Sequence, residues 1–184
     1  MMRIIIYGPQ GSGKSTQAQL LGQKLNLPVI STGEISRQIS TENTPEGIIT
    51  KELIDRGEPT PPEILNPRLE KVLAENSNGY ILDGFPRFSN QLYLLEEWLA
   101  KTETKIDKVI LINLPNETSI KRLMSRAAIE GRADDTEESI KRRLELYVEQ
   151  TQPIIDFFRG KGVLVEVDGV PGIEEIHASI VKLF

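Results

Sequence analysis

The sequence predicts an α/β fold, a parallel β-sheet with helices on both faces, and three observations carry that prediction. Short apolar runs of strand length alternate along the chain with longer segments whose apolar residues recur at helical spacing. One of the runs, Lys108 to Leu114, is almost continuously apolar, as a strand covered on both faces should be. The first run leads into Gly8-Pro9-Gln10-Gly11-Ser12-Gly13-Lys14-Ser15-Thr16, which satisfies G-x-x-x-x-G-K-[ST] between a strand and a helix. Strands joined through helices imply right-handed crossovers, and a ligand in such a sheet belongs at the carboxyl ends of the strands.

Met2 to Tyr7 is the first strand, and Ala18, Leu21 and Leu25 mark the buried side of the helix beyond the glycine-rich turn. Gly8, Gly11 and Gly13 admit positive φ and close backbone approach, so successive N–H groups can face phosphate oxygens at the positive end of that helix. Lys14 then reaches the β- and γ-phosphates, and the Ser15 hydroxyl can sit on Mg²⁺. Leu27 to Ile30 is the second strand, followed by Ser31-Thr32-Gly33-Glu34, loop and cap chemistry that leads into a helix at Ile35 to Ile39. From there to about Pro62 the chain is polar and punctuated by Pro45, Gly47, Gly57, Pro59, Pro61 and Pro62, yet it carries helical stretches. It reads as a small helical insertion and not as a core layer.

Glu63 to Glu75 is a helix with Ile64, Leu65, Leu69, Val72 and Leu73 on its apolar side, and Gly79 to Asp83 is the third strand. Phe88 to Lys101 is a helix with Leu92, Leu95 and Leu99 as its buried stripe and Trp98 as core packing beside it. After the fourth strand, Asn116 caps a helix to about Arg126. Asp135 to Phe158 is a long helix with Ile140, Leu144, Tyr147, Thr151, Ile154 and Phe158 on one side, bent by Pro153. Val163 to Asp168 is the fifth strand, and Gly172 to Phe184 the closing helix.

Composition narrows the chemistry. With 184 residues, 39% of them hydrophobic, the chain can bury a good core and is most simply one domain. A formal net charge of −5 provides no overall basic field to recruit nucleic acid, so phosphate chemistry must use locally clustered cations. The absence of cysteine removes disulfides, thiolate catalysis and Cys-ligated zinc together. The N-terminal apolar run is too short for a signal or membrane segment, which leads us to expect a soluble cytoplasmic protein.

Further constellations fall at the predicted strand ends. Tyr80-Ile81-Leu82-Asp83 is an apolar strand ending in a carboxylate, able to orient Mg²⁺ directly or through water, or else to cap the next turn. Gly84-Phe85-Pro86-Arg87 is a stiff turn that fixes the direction of a guanidinium suited to two-point oxyanion binding. Arg122 and Arg126 stand at i and i+4, where their mutual repulsion reverses sign if an anion lies beside them. Arg132 is on a loop that could swing. In Lys141-Arg142-Arg143 the helical phase points Arg142 away from the buried stripe and leaves Arg143 flanking it, so Arg143 is the candidate. Any single one of these arginines could equally belong to a solvated basic face; the set is harder to read that way. The one histidine, His177, has no acidic or metal-ligand partner at useful spacing and reads as structural.

Taken together, GPQGSGKSTQA, Ser31-Thr32-Gly33-Glu34, Asp83-Gly84-Phe85-Pro86-Arg87 with Gln91 four residues on, Arg122-Leu123-Met124-Ser125-Arg126 and Gly131-Arg132-Ala133-Asp134-Asp135 resemble the successive motifs of the adenylate kinases, in their short-lid form. The resemblance covers essentially the whole chain, and D-G-F-P-R is its most specific block. It implies the P-loop nucleoside monophosphate kinase fold, a five-stranded parallel sheet in the order 2-3-1-4-5, and Mg²⁺-dependent phosphoryl transfer between ATP and AMP. Gly11, Ser12, Gly13, Lys14, Ser15, Thr16, Arg122 and Val170 would then hold ATP, with Arg122 over its base. Thr32, Arg37, Thr60, Gly84, Arg87 and Gln91 would hold AMP. Lys14, Arg87, Arg126, Arg132 and Arg143 would surround the moving phosphoryl group, with Ser15 and Asp83 on the metal. Residues 31–60 would be the monophosphate-binding insertion and 127–135 the short lid, in a monomer with no structural zinc, no nucleic-acid partner and no membrane attachment.

The chain departs from the family's usual G-K-G-T at Gly13-Lys14-Ser15-Thr16, from T-G-D at Thr32-Gly33-Glu34, and from leucine-valine-proline at Pro59-Thr60-Pro61, the last being closest to the acceptor base. Two other readings share parts of this pattern. A UMP/CMP kinase of the same fold would use every phosphate-handling residue, whereas Gln91, able to offer a donor and an acceptor to adenine's edge, favours AMP. A non-catalytic nucleotide-binding switch would explain the phosphate loop but not a second phosphate clamp.

Overall fold

The computed structural model describes residues 2–130 and 137–184, without the side chains of 126–130 and 137. Its centre is a parallel sheet of five strands in the order β2-β3-β1-β4-β5, as expected: β1 is Arg3–Tyr7, β2 Val29–Ser31, β3 Tyr80–Asp83, β4 Lys108–Asn113 and β5 Leu164–Asp168. The period-two alternation of a strand sends neighbouring side chains to opposite faces, and both faces here are apolar. Ile4, Ile6, Ile81, Ile110 and Ile112 pack on one side against Ala18 and Leu21 of α1 (Lys14–Leu25) and Ile176 and Ile180 of α9 (Ile173–Val181). On the other side, Ile5, Tyr7, Leu82, Val109 and Leu111 meet Leu69 and Leu73 of α4 (Pro62–Glu75), Leu95 and Leu99 of α5 (Ser89–Lys101), and Ile155 and Phe158 of α8 (Gln152–Gly160). Each such aliphatic or aromatic side chain, fully buried, contributes roughly 1.5–3 kcal/mol relative to an exposed one. Trp98 is half-buried against this second layer, in the packing role expected of it.

The polar segment after β2 is helical. Ser31 caps α2 (Thr32–Ser40) by accepting the Glu34 N–H at 3.4 Å, and Thr44 caps α3 (Pro45–Asp55) by accepting that of Gly47 at 3.1 Å. These two helices pack on each other with almost no gap, since a Cβ at Gly47 of α3 would stand 2.8 Å from the Ile39 carbonyl oxygen of α2. Downstream, α6 spans Asn116–Glu130, a turn longer than its apolar pattern suggests.

The single long helix expected from 135 to 158 is divided. α7 (Glu137–Leu146) is followed by a π-helical turn at Tyr147–Thr151 and then by α8. Pro153 lacks an N–H, and its ring crowds the carbonyl four residues back. The wider turn, closed by Gln152 N–H to the Tyr147 oxygen, accommodates this bend and re-aims the side chains around it. Among the described residues, no helix is long and apolar enough to cross a membrane.

Candidate functional site

Strand register builds the first part of the site. Ile6 of β1 lies opposite Asp83 of β3, so the loop leaving β1 and the turn leaving β3 begin side by side. In that loop Gly11 and Gly13 both sit at φ +82°, and a Cβ at Gly8 would lie 2.4 Å from Ser12 Oγ and 2.9 Å from the Ile112 carbonyl oxygen. The glycines are therefore required by conformation and by space, and the loop arches over the start of α1. Ser15 Oγ donates to Asp83 Oδ2 at 2.6 Å. Asp83 Oδ1 is buried and takes no hydrogen bond among the described residues. A hydroxyl and a carboxylate of this kind form a hard oxygen donor set, and the unsatisfied oxygen suits a divalent cation such as Mg²⁺ or one of its waters. Among the described residues no three His, Asp or Glu side chains converge as a metal cluster.

The turn after Asp83 carries Arg87 and is tied down at several polar atoms. Arg87 Nε donates to the Gly84 oxygen at 2.6 Å, Arg87 N–H donates to Gln91 Oε1 at 2.8 Å, and Thr151 Oγ1 donates to the Arg87 oxygen at 3.3 Å. One residue earlier, the Tyr7 hydroxyl donates to the Pro86 oxygen at 2.7 Å. Gly84 is at φ +63°, and a Cβ on it would stand 3.0 Å from Arg87 Nη2 and 3.3 Å from Lys14 Cε, so the lysine and the arginine converge above this glycine. Burial pushes the Arg87 guanidinium below its ordinary range, Asp83 opposes that, and Arg143 and Arg37 add to it. An arginine remains charged regardless, so the site gathers cations whose mutual repulsion an anion would relieve.

A cavity collects these groups. Lys14, Arg37, Arg87 and Arg143 line it as cations, and Gly84, Thr32 and Gln91 lie among them. Apolar wall comes from Ile54, Pro59, Leu65, Phe88 and Tyr147. Thr60 is present as well, its hydroxyl donating to Ser36 Oγ at 2.8 Å. Arg143 is steered by Ser139, whose carbonyl oxygen lies 3.2 Å from Nε and whose Oγ lies 3.3 Å from Nη2.

Arg142, expected to point away from the buried stripe, is partly exposed and pairs with Glu58, its Nε donating to Oε1 at 2.9 Å. Gly57 beside it, at φ +75°, passes so near α7 that a Cβ would lie 2.7 Å from the Ser139 oxygen. The insertion thus rests on α7 at the cavity rim.

Other candidates form a second group. Arg122 Nη1 donates to the Gly169 oxygen at 3.0 Å and lies 3.5 Å from that of Gly11, while Nη2 donates to the Val170 oxygen at 3.0 Å. Arg122 therefore bridges the phosphate loop and the β5–α9 loop, with Val170 exposed beside it. Ser12 is fully buried, and Ser15 and Thr16 are exposed residues of the first turn of α1. The Arg126 side chain, Arg132 and the segment from 131 to 135 lie outside the described residues.

The cavity also contains residues that the sequence does not flag. Tyr7 reads as one more strand residue, and Ser36 carries no motif signal. Tyr147 and Thr151 match a helical core stripe, yet the π turn brings both to the cavity wall. Gln91 has a local duty, because one lone pair of its oxygen is committed to the Arg87 N–H, while its Nε2 takes no partner among the described residues.

Comparison with known proteins adds the family. The family model described as adenylate kinase matches residues 6–163. The chain is 42% identical over 186 residues to an adenylate kinase of Leptospira biflexa, covering 99% of each. It is 42% identical over 183 residues to one of Bifidobacterium longum, covering 98% of each. A third, from Thermus thermophilus, is 38% identical over 177 residues, covering 96% of this chain and 94% of that one.

Proposed function

The chain belongs to the adenylate kinase family, a family of phosphotransferases, and from that premise we propose that it transfers the γ-phosphoryl group of ATP reversibly to AMP, giving two ADP. The observation that supports this most is the convergence of Lys14, Arg37, Arg87 and Arg143 on one cavity from four separate elements. A site for one triphosphate needs no second clamp, whereas a site for a donor and an acceptor does.

In this reading Lys14 and the loop amides hold the donor's phosphates, and Arg122 with the Val170 loop flanks its base. Arg87 grips the acceptor phosphate with Arg37 and Thr32, and Gln91 and Thr60 meet the acceptor base. An AMP phosphate has its second pKa near 6, so its oxygen is already an anionic nucleophile at neutral pH and no general base is required. Catalysis reduces to alignment and to neutralising charge on the moving group, the work of Lys14, Arg87 and Arg143, with Arg126 and Arg132 joining from the lid side. Ser15 and Asp83 would hold Mg²⁺, which supplies further charge neutralisation when bound.

Residues 31–60 serve as the acceptor-binding insertion and 127–135 as the lid, whose closure excludes water that would hydrolyse ATP. The Glu58–Arg142 pair and the Gly57–Ser139 approach favour an insertion that closes onto α7. We take the chain to act as a cytoplasmic monomer on small-molecule substrates.

The test is a phosphoryl-transfer assay with ATP and Mg²⁺ against AMP, CMP, UMP and GMP in turn. AMP is expected to give the highest kcat/KM; equal efficiency with CMP would make this a pyrimidine kinase, and ATP binding without transfer to any acceptor would make it a switch. Gln91→Leu should lower kcat/KM for AMP by about one to two orders of magnitude, the cost of an unpaired buried polar group, and leave the KM for ATP nearly unchanged. Part of that loss would come from releasing the Arg87 N–H, and an AMP response indifferent to the substitution would remove Gln91 from the site.

A further inference from the structure

We propose that Tyr7 is a positioning residue of the transfer reaction, its phenol locking the peptide unit that aims Arg87 and so fixing the acceptor clamp relative to the phosphate loop. This rests on the reading of Arg87 as the acceptor clamp. Tyr7 is the last residue of β1, and Gly8, the first residue of the phosphate loop, follows it directly. Its ring is 1% exposed and packs against Phe158 at 6.3 Å between centroids, a space that a phenylalanine would fill as well. The hydroxyl is therefore not explained by packing, since a buried phenol carries a desolvation cost unless it finds a partner.

The partner it finds is specific. The Pro86 oxygen and the Arg87 N–H are the two polar atoms of a single planar peptide unit. Tyr7 OH holds the oxygen at 2.7 Å and Gln91 Oε1 holds the N–H at 2.8 Å. One anchor comes from the strand that feeds the phosphate loop and the other from α5, so the plane cannot rotate without breaking a buried hydrogen bond. The direction of the Arg87 side chain follows from that plane. Thr151 at the next carbonyl and Gly84 at Nε complete the restraint. Burial holds the phenol's pKa well above its ordinary value despite Arg87 nearby, which keeps the hydroxyl a proton donor at every working pH.

The test is Tyr7→Phe in the full chain, alone and combined with Arg87→Lys, with AMP and ATP varied separately and a circular-dichroism melt of each protein. Assays at low temperature keep loss of fold apart from loss of aim. Tyr7→Phe is expected to lower kcat/KM for AMP by about tenfold, the scale of one lost buried hydrogen bond, while the KM for ATP stays within about twofold. In the Arg87→Lys background the same change should add little, because the group being aimed is already gone. A lower melting temperature with kcat/KM for AMP unchanged would overturn the proposal and leave Tyr7 a packing residue. So would an equal loss in both backgrounds, or equal shifts in both KM values. If Arg87→Lys by itself left AMP use untouched, it is the clamp reading that would fall, taking this inference with it.

Discussion

Lys14→Ala is expected to remove nearly all phosphoryl transfer, lowering kcat by roughly 10²–10³-fold or more, the scale seen when one preorganised electrostatic group is deleted from a site. Lys14 is the first residue of α1, directly after the αL glycine that closes the phosphate loop. Its Cε passes 3.3 Å from where a Gly84 Cβ would be, alongside the Arg87 guanidinium, which in the proposed reading is where donor and acceptor phosphates would meet. Charge grows at the β–γ bridge as the bond breaks, and the other cations of the cavity are committed to different elements: Arg87 to the Gly84 turn, Arg143 to Ser139. The fold should survive, because alanine is the better helix former and the lysine is not part of either apolar layer. Steady-state turnover together with a thermal melt checks this. Activity within tenfold of wild type, with the fold intact, would mean that the loop does not hold the transferring phosphate.

The architecture was legible in the sequence because burial leaves a periodic signature. Ile4, Ile5 and Ile6 are apolar in succession since the strand has a helix layer on each side, and the glycines at 8, 11 and 13 are visible because no other residue fits their φ or their space. Helical phase also singled out Arg143, which does line the cavity. Phase gives a direction but no distance: Arg142 keeps the partly exposed position expected of a side chain facing away from the stripe, but phase could not name its partner, Glu58, 84 residues away in sequence. The same limit hid the bracing of Arg87. Tyr7 and Thr151 touch the turn across 79 and 64 residues, through hydroxyls that look from the sequence like strand and core-stripe residues. Thr151 is buried, as its place on the stripe implied, but a stripe position does not show that its hydroxyl reaches the Arg87 carbonyl. Gln91, expected from the sequence at the acceptor side, does line the cavity, but its bond to the Arg87 N–H depends on the tightness of a turn that spacing alone does not fix.

Arg87→Lys should be the most damaging conservative substitution, lowering kcat/KM for AMP by roughly two orders of magnitude with a much smaller effect on the KM for ATP, as expected for a lost charge-assisted, two-point contact. Two effects add. An ammonium cannot reproduce the planar fork, and it has no counterpart to the Nε that now donates to the Gly84 oxygen at 2.6 Å and holds the side chain in place. Charge is the second effect. Burial, Arg143 and Arg37 together push a cation at this position below its ordinary pKa, with Asp83 opposing only in part. Arginine tolerates that shift because its ordinary pKa lies far above the working range, whereas a lysine starts lower and would be carried toward that range. A cation with a lowered pKa loses its charge as pH rises through that value, so the variant's KM for AMP should climb toward alkaline pH beyond any change in the wild type. Measuring AMP saturation for both proteins from neutral to alkaline pH checks the two effects separately. A flat pH profile with a raised KM would leave only the lost fork, and Michaelis constants and turnover equal to wild type at every pH would show that Arg87 does not hold the acceptor phosphate.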